Sequence, residues 1–159
     1  MQPYREGQKV KHEQKYMGKS KSFELPTEKV RNLFEKPYGW YMWLSQAEDL
    51  KFPENKPYLK HEILKMSKLA LKLQSWVAAM LGPNHYDRPT TTVHTKDLYF
   101  LIAGTEEILS KIFRYIDNSR SGYHLGEEGL YINSCKEYIE DISKIISTSR
   151  KTTTSKKSE

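Results

Sequence analysis

One cysteine, Cys135, stands among 159 residues, so no disulfide can close within the chain and no thiolate cluster can hold a metal. It sits inside a helical pattern, away from any evident base, and reads as a small buried hydrophobe rather than a nucleophile. No apolar run approaches the roughly 20 residues that a bilayer-spanning helix needs, and the mean hydropathy is -0.77. The segment MQPYREGQKV lacks the apolar centre of a signal peptide. The expectation is a protein of the reducing cytoplasm with no membrane contact. Glycine-rich phosphate loops, nucleophile elbows and kinase signatures are absent. His12, His61, His85, His94 and His124 have no ligand-type partner four residues away within a shared helix, so neither a metal nor a cofactor is expected.

What is present is charge, unevenly placed. The chain carries a net +6. Residues 1–22 hold Arg5, Lys9, Lys11, Lys15, Lys19 and Lys21 against Glu6 and Glu13, a net of +4. Residues 147–159 hold Arg150, Lys151, Lys156 and Lys157 against Glu159, a net of +3, which leaves 23–146 at -1. Both ends lack apolar periodicity, so 1–22 and 148–159 read as disordered basic tails around a domain at 23–147. Such tails attract a phosphate backbone without choosing its sequence.

Four segments carry helical periodicity. In LPTEKVRNLFEK, Thr27 is a candidate N-cap, and Pro37 is expected to stop or kink the helix. The pattern resumes from Tyr38 to about Leu50, with Trp40, Leu44 and Ala47 on the stripe of Leu33 and with Trp43 at its edge. KFPENKPY reads as a turn. From Leu59 the second helix places Ile63, Met66, Ala70, Leu73, Val77 and Met80 on one face until Gly82 and Pro83. Thr95 is a candidate cap for the third helix, with Leu98, Leu101, Ile102, Thr105, Leu109, Ile112 and Ile116 inward. The fourth, with Tyr131, Cys135, Tyr138, Ile142 and Ile145, is expected to end near Ser147. Only TTTVHT alternates as a strand would. The fold class is therefore all-α: an up-down-up-down four-helix bundle with disordered basic tails.

Two enzymatic patterns deserve weighing. Acid pairs on facing helices hold magnesium in all-α nucleotide pyrophosphatases, but Glu106, Glu107, Glu137, Glu140 and Asp141 sit among lysines and mostly off the apolar stripes, as solvated faces do. An arginine and a following histidine with about four to six residues between them mark HEPN-type ribonucleases. Arg88 and His94 match that spacing, as do Arg5 and His12. One pair lies in a Pro-Thr loop and the other in the basic arm, not at the start of a long helix. No catalytic residue is assigned and no enzyme activity is expected.

The remaining candidates are surfaces. His61, Lys65, Lys68 and Lys72 recur one turn apart on the outer face of the second helix, about 5–6 Å from one to the next, comparable with phosphates along a single strand. With Lys9, Lys11, Lys15, Lys19, Lys21, Arg150 and Lys151 they are the candidate contacts to an RNA or DNA backbone. Tyr38, Tyr41, Met42, Leu64 and Leu71 are apolar positions left off the main stripes. A helix apolar nearly all round is buried on more than one side, so these five are the candidate homo-oligomer interface. Base stacking by Tyr41 or Trp43 is the sharper use of the same segment. A protein-binding helical adaptor that never touches nucleic acid is the alternative.

The order YGWYMWL, KFP, a long amphipathic helix and then AGTEEIL resembles a four-helix-bundle family. That family holds the proteins encoded in 23S ribosomal RNA intervening sequences and the accessory variability determinants of diversity-generating retroelements. The resemblance covers about 38–146 and implies a non-enzymatic homo-oligomer, often a pentameric barrel, that binds a reverse transcriptase and its template RNA through basic surface. The chain departs from the family in its long basic arms, in its bulky loop at 82–95, and in ending the fourth helix with KIISTS rather than a Gly-Gly-Trp-like sequence.

Overall fold

A proline inside a helix removes one main-chain donor and leaves the carbonyl four residues back without a partner. Helix α1 (Thr27–Ser45) nevertheless runs on through Pro37, where the sequence predicts a stop or kink. The orphaned acceptor is the carbonyl of Leu33, and the buried Tyr138 hydroxyl donates to it at 2.8 Å. A side chain more than a hundred residues away thus replaces the missing amide. The computed structural model describes residues 20–49, 57–118 and 125–158, with side chains over 20–49, 60–116 and 125–149.

Among the described residues the chain is mostly helical, with four α-helices and one two-stranded sheet. After α1 and a 3-10 turn at Gln46–Asp49 come α2 (Pro57–Leu81), α3 (Thr95–Asn118) and α4 (Glu128–Ser158). Strand β1 (Ser22–Pro26) pairs antiparallel with β2 (Thr90–His94), in a register from Ser22↔His94 to Pro26↔Thr90. The TTTVHT alternation is thus a strand, whereas β1 was not anticipated. It begins inside the basic arm, and SFELP offers only Phe23 and Leu25 as an alternating pair. The two threonines at helix starts do more than begin helices. Pro26 takes the cap position of α1, and the Thr27 hydroxyl shares a buried 2.7 Å hydrogen bond with the Thr91 hydroxyl. The Thr95 hydroxyl accepts from the Lys21 amide at 2.9 Å. Both tie the sheet to the helices.

Each helix gives one stripe to a common core: Val30, Leu33, Trp40 and Leu44 from α1; Ile63, Met66, Ala70, Leu73 and Val77 from α2; Leu98, Leu101, Ile108 and Ile112 from α3; Cys135, Tyr138, Ile142 and Ile146 from α4. Ile108 and Tyr115 are buried where the sequence favoured Leu109 and Ile116, which sit half-buried beside them. Packing is closest between helices adjacent in sequence and sparser, though still direct, between α1 and α4. Gly104 sets the α2–α3 approach, since a Cβ there would lie 2.6 Å from a Leu73 methyl. Gly82, at φ 71°, ends α2 in the left-handed conformation that glycine adopts freely. Its amide donates to the Ala78 carbonyl at 3.0 Å.

Helix α4 overruns the end read near Ser147 and continues to Ser158. Ile146 and Ser149 are still buried there, and the Ser149 hydroxyl donates to the Ile146 carbonyl at 2.8 Å. Once a helix is nucleated, each further residue adds a hydrogen bond at small cost. The fourth helix, expected to end near Ser147, thus has helical backbone up to Ser158. The arm over 1–19 and most of the KFPENKPY turn lie outside the described residues.

Tyr138→Phe leaves the Leu33 carbonyl buried without a donor and should cost about 1–3 kcal/mol in urea unfolding. Pro37→Ala supplies a helical amide to that carbonyl, so it should stabilise the Tyr138→Phe variant more than the wild type, by about 1 kcal/mol. Cys135 is fully buried, and desolvation pushes its thiol up to about 12. It should resist thiol-specific reagents at neutral pH in the native state and react only on unfolding, as mass spectrometry with and without denaturant would read.

Candidate nucleic-acid interface

Because α2 buries Ile63, Met66, Ala70, Leu73 and Val77, helical geometry turns His61, Lys65, Lys68 and Lys72 to the opposite side, and all four are exposed. Among the described residues none of the three lysines has an ion-pair partner. The other paired lysines behave differently: Lys36 reaches Glu137 at 3.8 Å, Lys111 reaches Glu62 at 3.8 Å, and Lys144 reaches Glu140 at 3.3 Å. Glu62, the acid nearest the row in sequence, is turned toward α3. Among the described residues the row is therefore one of uncompensated positive charge. Its far end touches aromatic surface, with Lys72 Nζ 5.7 Å from the centre of the Phe100 ring and Trp76 packed on that ring at 4.1 Å.

The terminal basic residues are distributed differently. Lys9, Lys11, Lys15 and Lys19 lie outside the described residues. Lys21 is exposed and pinned by its main chain, donating to the Thr95 hydroxyl and accepting from the Thr95 amide at 2.8 Å. Arg150 and Lys151 fall within α4, their side chains outside the described set. Ser22, next to Lys21, and Ser149, next to Arg150, line the same groove. Two basic segments at opposite ends of the sequence thus join the fold at one place.

The apolar residues left off the main stripes divide into two kinds. Tyr38, Met42 and Leu71 are exposed at 46%, 48% and 40%, whereas Tyr41 and Leu64 are half-buried and pack against the core. Trp43, read at the stripe's edge, is buried. Its ring stacks on Tyr131 at 4.2 Å and its indole N–H donates to the Gly126 carbonyl at 2.8 Å. A base cannot stack on a ring so occupied, which removes Trp43 from the stacking candidates.

The Arg88 and His94 pair is split by local structure. The Arg88 guanidinium donates to the carbonyls of Leu81 and Pro83, capping the C-terminus of α2. His94 is exposed at the end of β2, opposite Ser22. Glu106, Glu107, Glu137, Glu140 and Asp141 are all exposed, and no three His, Cys, Asp or Glu side chains form a metal-ligand group among the described residues. No described helix is long and apolar enough to cross a membrane.

One feature of this surface has no helical signature. Tyr86, 79% exposed in the turn after α2, has the Arg31 guanidinium 5.0 Å from its ring centre and the His85 ring at 4.1 Å. Sequence reasoning passed over it because NHYDRP reads only as turn formers; an aromatic between a histidine and an arginine in such a turn was the available signal. No protein-family model, curated protein or solved structure shows a significant match to this chain.

Proposed function

We propose that this chain is a non-enzymatic nucleic-acid-binding accessory protein. In this reading an up-down-up-down bundle self-associates in the cytoplasm and offers the α2 lysines and the basic terminal segments to an RNA or DNA backbone, assisting a reverse transcriptase and its RNA. The observation that carries the nucleic-acid reading is the exposed row of Lys65, Lys68 and Lys72 without acidic partners among the described residues. An ordinary solvated helix face interleaves acids with its lysines; this one turns its nearest acid away. The reverse transcriptase rests on the resemblance carried by YGWYMWL, KFP and AGTEEIL. Exposed Tyr86, beside Arg31 and His85, is suited to stack a single-stranded base.

Each neutralised phosphate releases counterions, so affinity for RNA should fall steeply with salt. Changing Lys65, Lys68 and Lys72 together to Gln should lower the log-log slope by about 2–3 units while circular dichroism shows the helices intact. Removal of residues 1–19, which leaves β1 whole, should weaken binding to all sequences alike. Partner-protein capture that survives both changes, with no RNA binding at about 150 mM salt, would make the chain a protein-binding adaptor instead.

Exposed Tyr38, Met42 and Leu71 on α1 and α2 support self-association. Light scattering at micromolar concentration should report a mass above the 18.7 kDa of one chain. A clean monomer would remove the oligomer from the proposal.

A further inference from the structure

The hydrogen-bonding phase of the sheet decides which main-chain groups of β1 are spoken for. The Thr95 amide donates to the Lys21 carbonyl at 2.8 Å, and the Thr27 amide to the Pro89 carbonyl at 3.0 Å. Carried through the register, these bonds make Lys21, Phe23, Leu25 and Thr27 the residues whose main chain faces β2. Ser22 and Glu24 therefore aim both their N–H and C=O groups away from β2, and among the described residues nothing pairs with them. Pro26 is the third outward position. It has no N–H to leave unpaired, as expected of proline on an open edge.

This edge does not face open water alone. A groove of about 960 Å³ runs along it, lined by Ser22, Phe23, Glu24 and Leu25 in succession. Neighbouring residues of a strand point to opposite faces, so four in a row line one space where it wraps the strand's edge, and Thr92 of β2 joins that lining on the Glu24 side of the sheet. Helix α1 forms one wall with Lys29, Leu33 and Lys36, and α4 the other with Asp141, Lys144 and Ile145.

We propose that the free edge of β1 is a docking site for an extended acidic segment of a partner protein, which adds to the sheet as a third strand within this groove. This goes beyond the nucleic-acid reading and does not depend on it. Unpaired donors and acceptors on every second residue match a peptide main chain. Lys29, Lys36 and Lys144 outnumber Asp141 on the helical walls. The Glu24 carboxylate is held by the hydroxyls of Thr90, at 3.0 Å, and Thr92. The contacts of Lys36 and Lys144 to Glu137 and Glu140 are exposed pairs of little strength, which a guest carboxylate can displace. Half-buried Ile145 offers apolar contact to a guest side chain. The β1 of a second copy would arrive flanked by its own α1 and α4, whereas a lone extended segment brings no such bulk.

The test uses the full-length protein and a blocked seven-residue peptide of alternating Glu and Val, with a Lys-Val counterpart. Amide NMR should show the acidic peptide shifting and protecting the Ser22 and Glu24 amides, and the basic one binding at least about tenfold more weakly. Glu24→Pro deletes an outward N–H without breaking a β1–β2 bond, so it should weaken binding about tenfold relative to Glu24→Gln, which keeps the main chain. Equal binding by these two variants, or shifts confined to other residues, would overturn the proposal. So would the absence of binding. Protection of the Ser22 and Glu24 amides in the free protein would assign the edge to residues 1–19 if independent of concentration, and to a second copy if it grows with concentration. Displacement of the peptide by single-stranded RNA at those amides would assign the groove to nucleic acid.

Discussion

The Leu33 carbonyl needs a donor that Pro37 cannot supply, and the fold is arranged around the hydroxyl that supplies it. For Tyr138 to reach the interior of α1, the first part of α4 must lie close along it. The hydroxyl is buried, and desolvation raises its pKa, so it stays protonated and a donor throughout the neutral range. The YGWYMWL segment follows from the same contact. Trp40 meets the Tyr138 ring edge-on at 5.1 Å and donates to the Ser134 hydroxyl at 2.8 Å, and Trp43 stacks on Tyr131. Trp40, Trp43 and Tyr138 are large apolar bodies whose polar ends are each satisfied across the same seam, the condition under which tryptophan and tyrosine are buried without penalty.

That seam is closed over only part of its length. Along α4 the contacts at Tyr131, Ser134 and Tyr138 hold α1 near, and beyond them Asp141, Lys144 and Ile145 face a groove instead. Strand β1 lies along this opening. The groove is thus the continuation of the aromatic seam past the point where rings fill it, and the open strand edge lies where α1 and α4 part.

On the proposed reading, the outer face of α2 would carry two demands. Leu64 and Leu71 lie next to the row of His61, Lys65, Lys68 and Lys72, and helical spacing interleaves Lys68 with both leucines. Leu64 already packs on the core, so only Leu71, with Tyr38 and Met42 of α1, remains for a second subunit. Self-association through these residues would place the lysine row along the rim of the contact, where charge stays hydrated and accessible to a polyanion.

Helical periodicity alone was enough to place the four helices, most of the buried stripe on each, and the exposure of His61, Lys65, Lys68 and Lys72, because a period of 3.6 residues separates inside from outside before any packing is known. Local sequence also showed Gly82 and Pro83 as an end, and it offered TTTVHT as an alternating stretch within a fold otherwise read as all-α. It could not show that α1 survives Pro37, since the compensating donor comes from α4, nor that SFELP is a strand, since its partner lies more than sixty residues away. Reach between distant segments also decided the burial of Trp43, the capping role of Arg88, and the groove that gathers Ser22, Lys29 and Lys144. Periodicity is a property of neighbours one turn apart and is written in the chain. A hydrogen bond across 105 residues exists only once tertiary packing brings its two ends together.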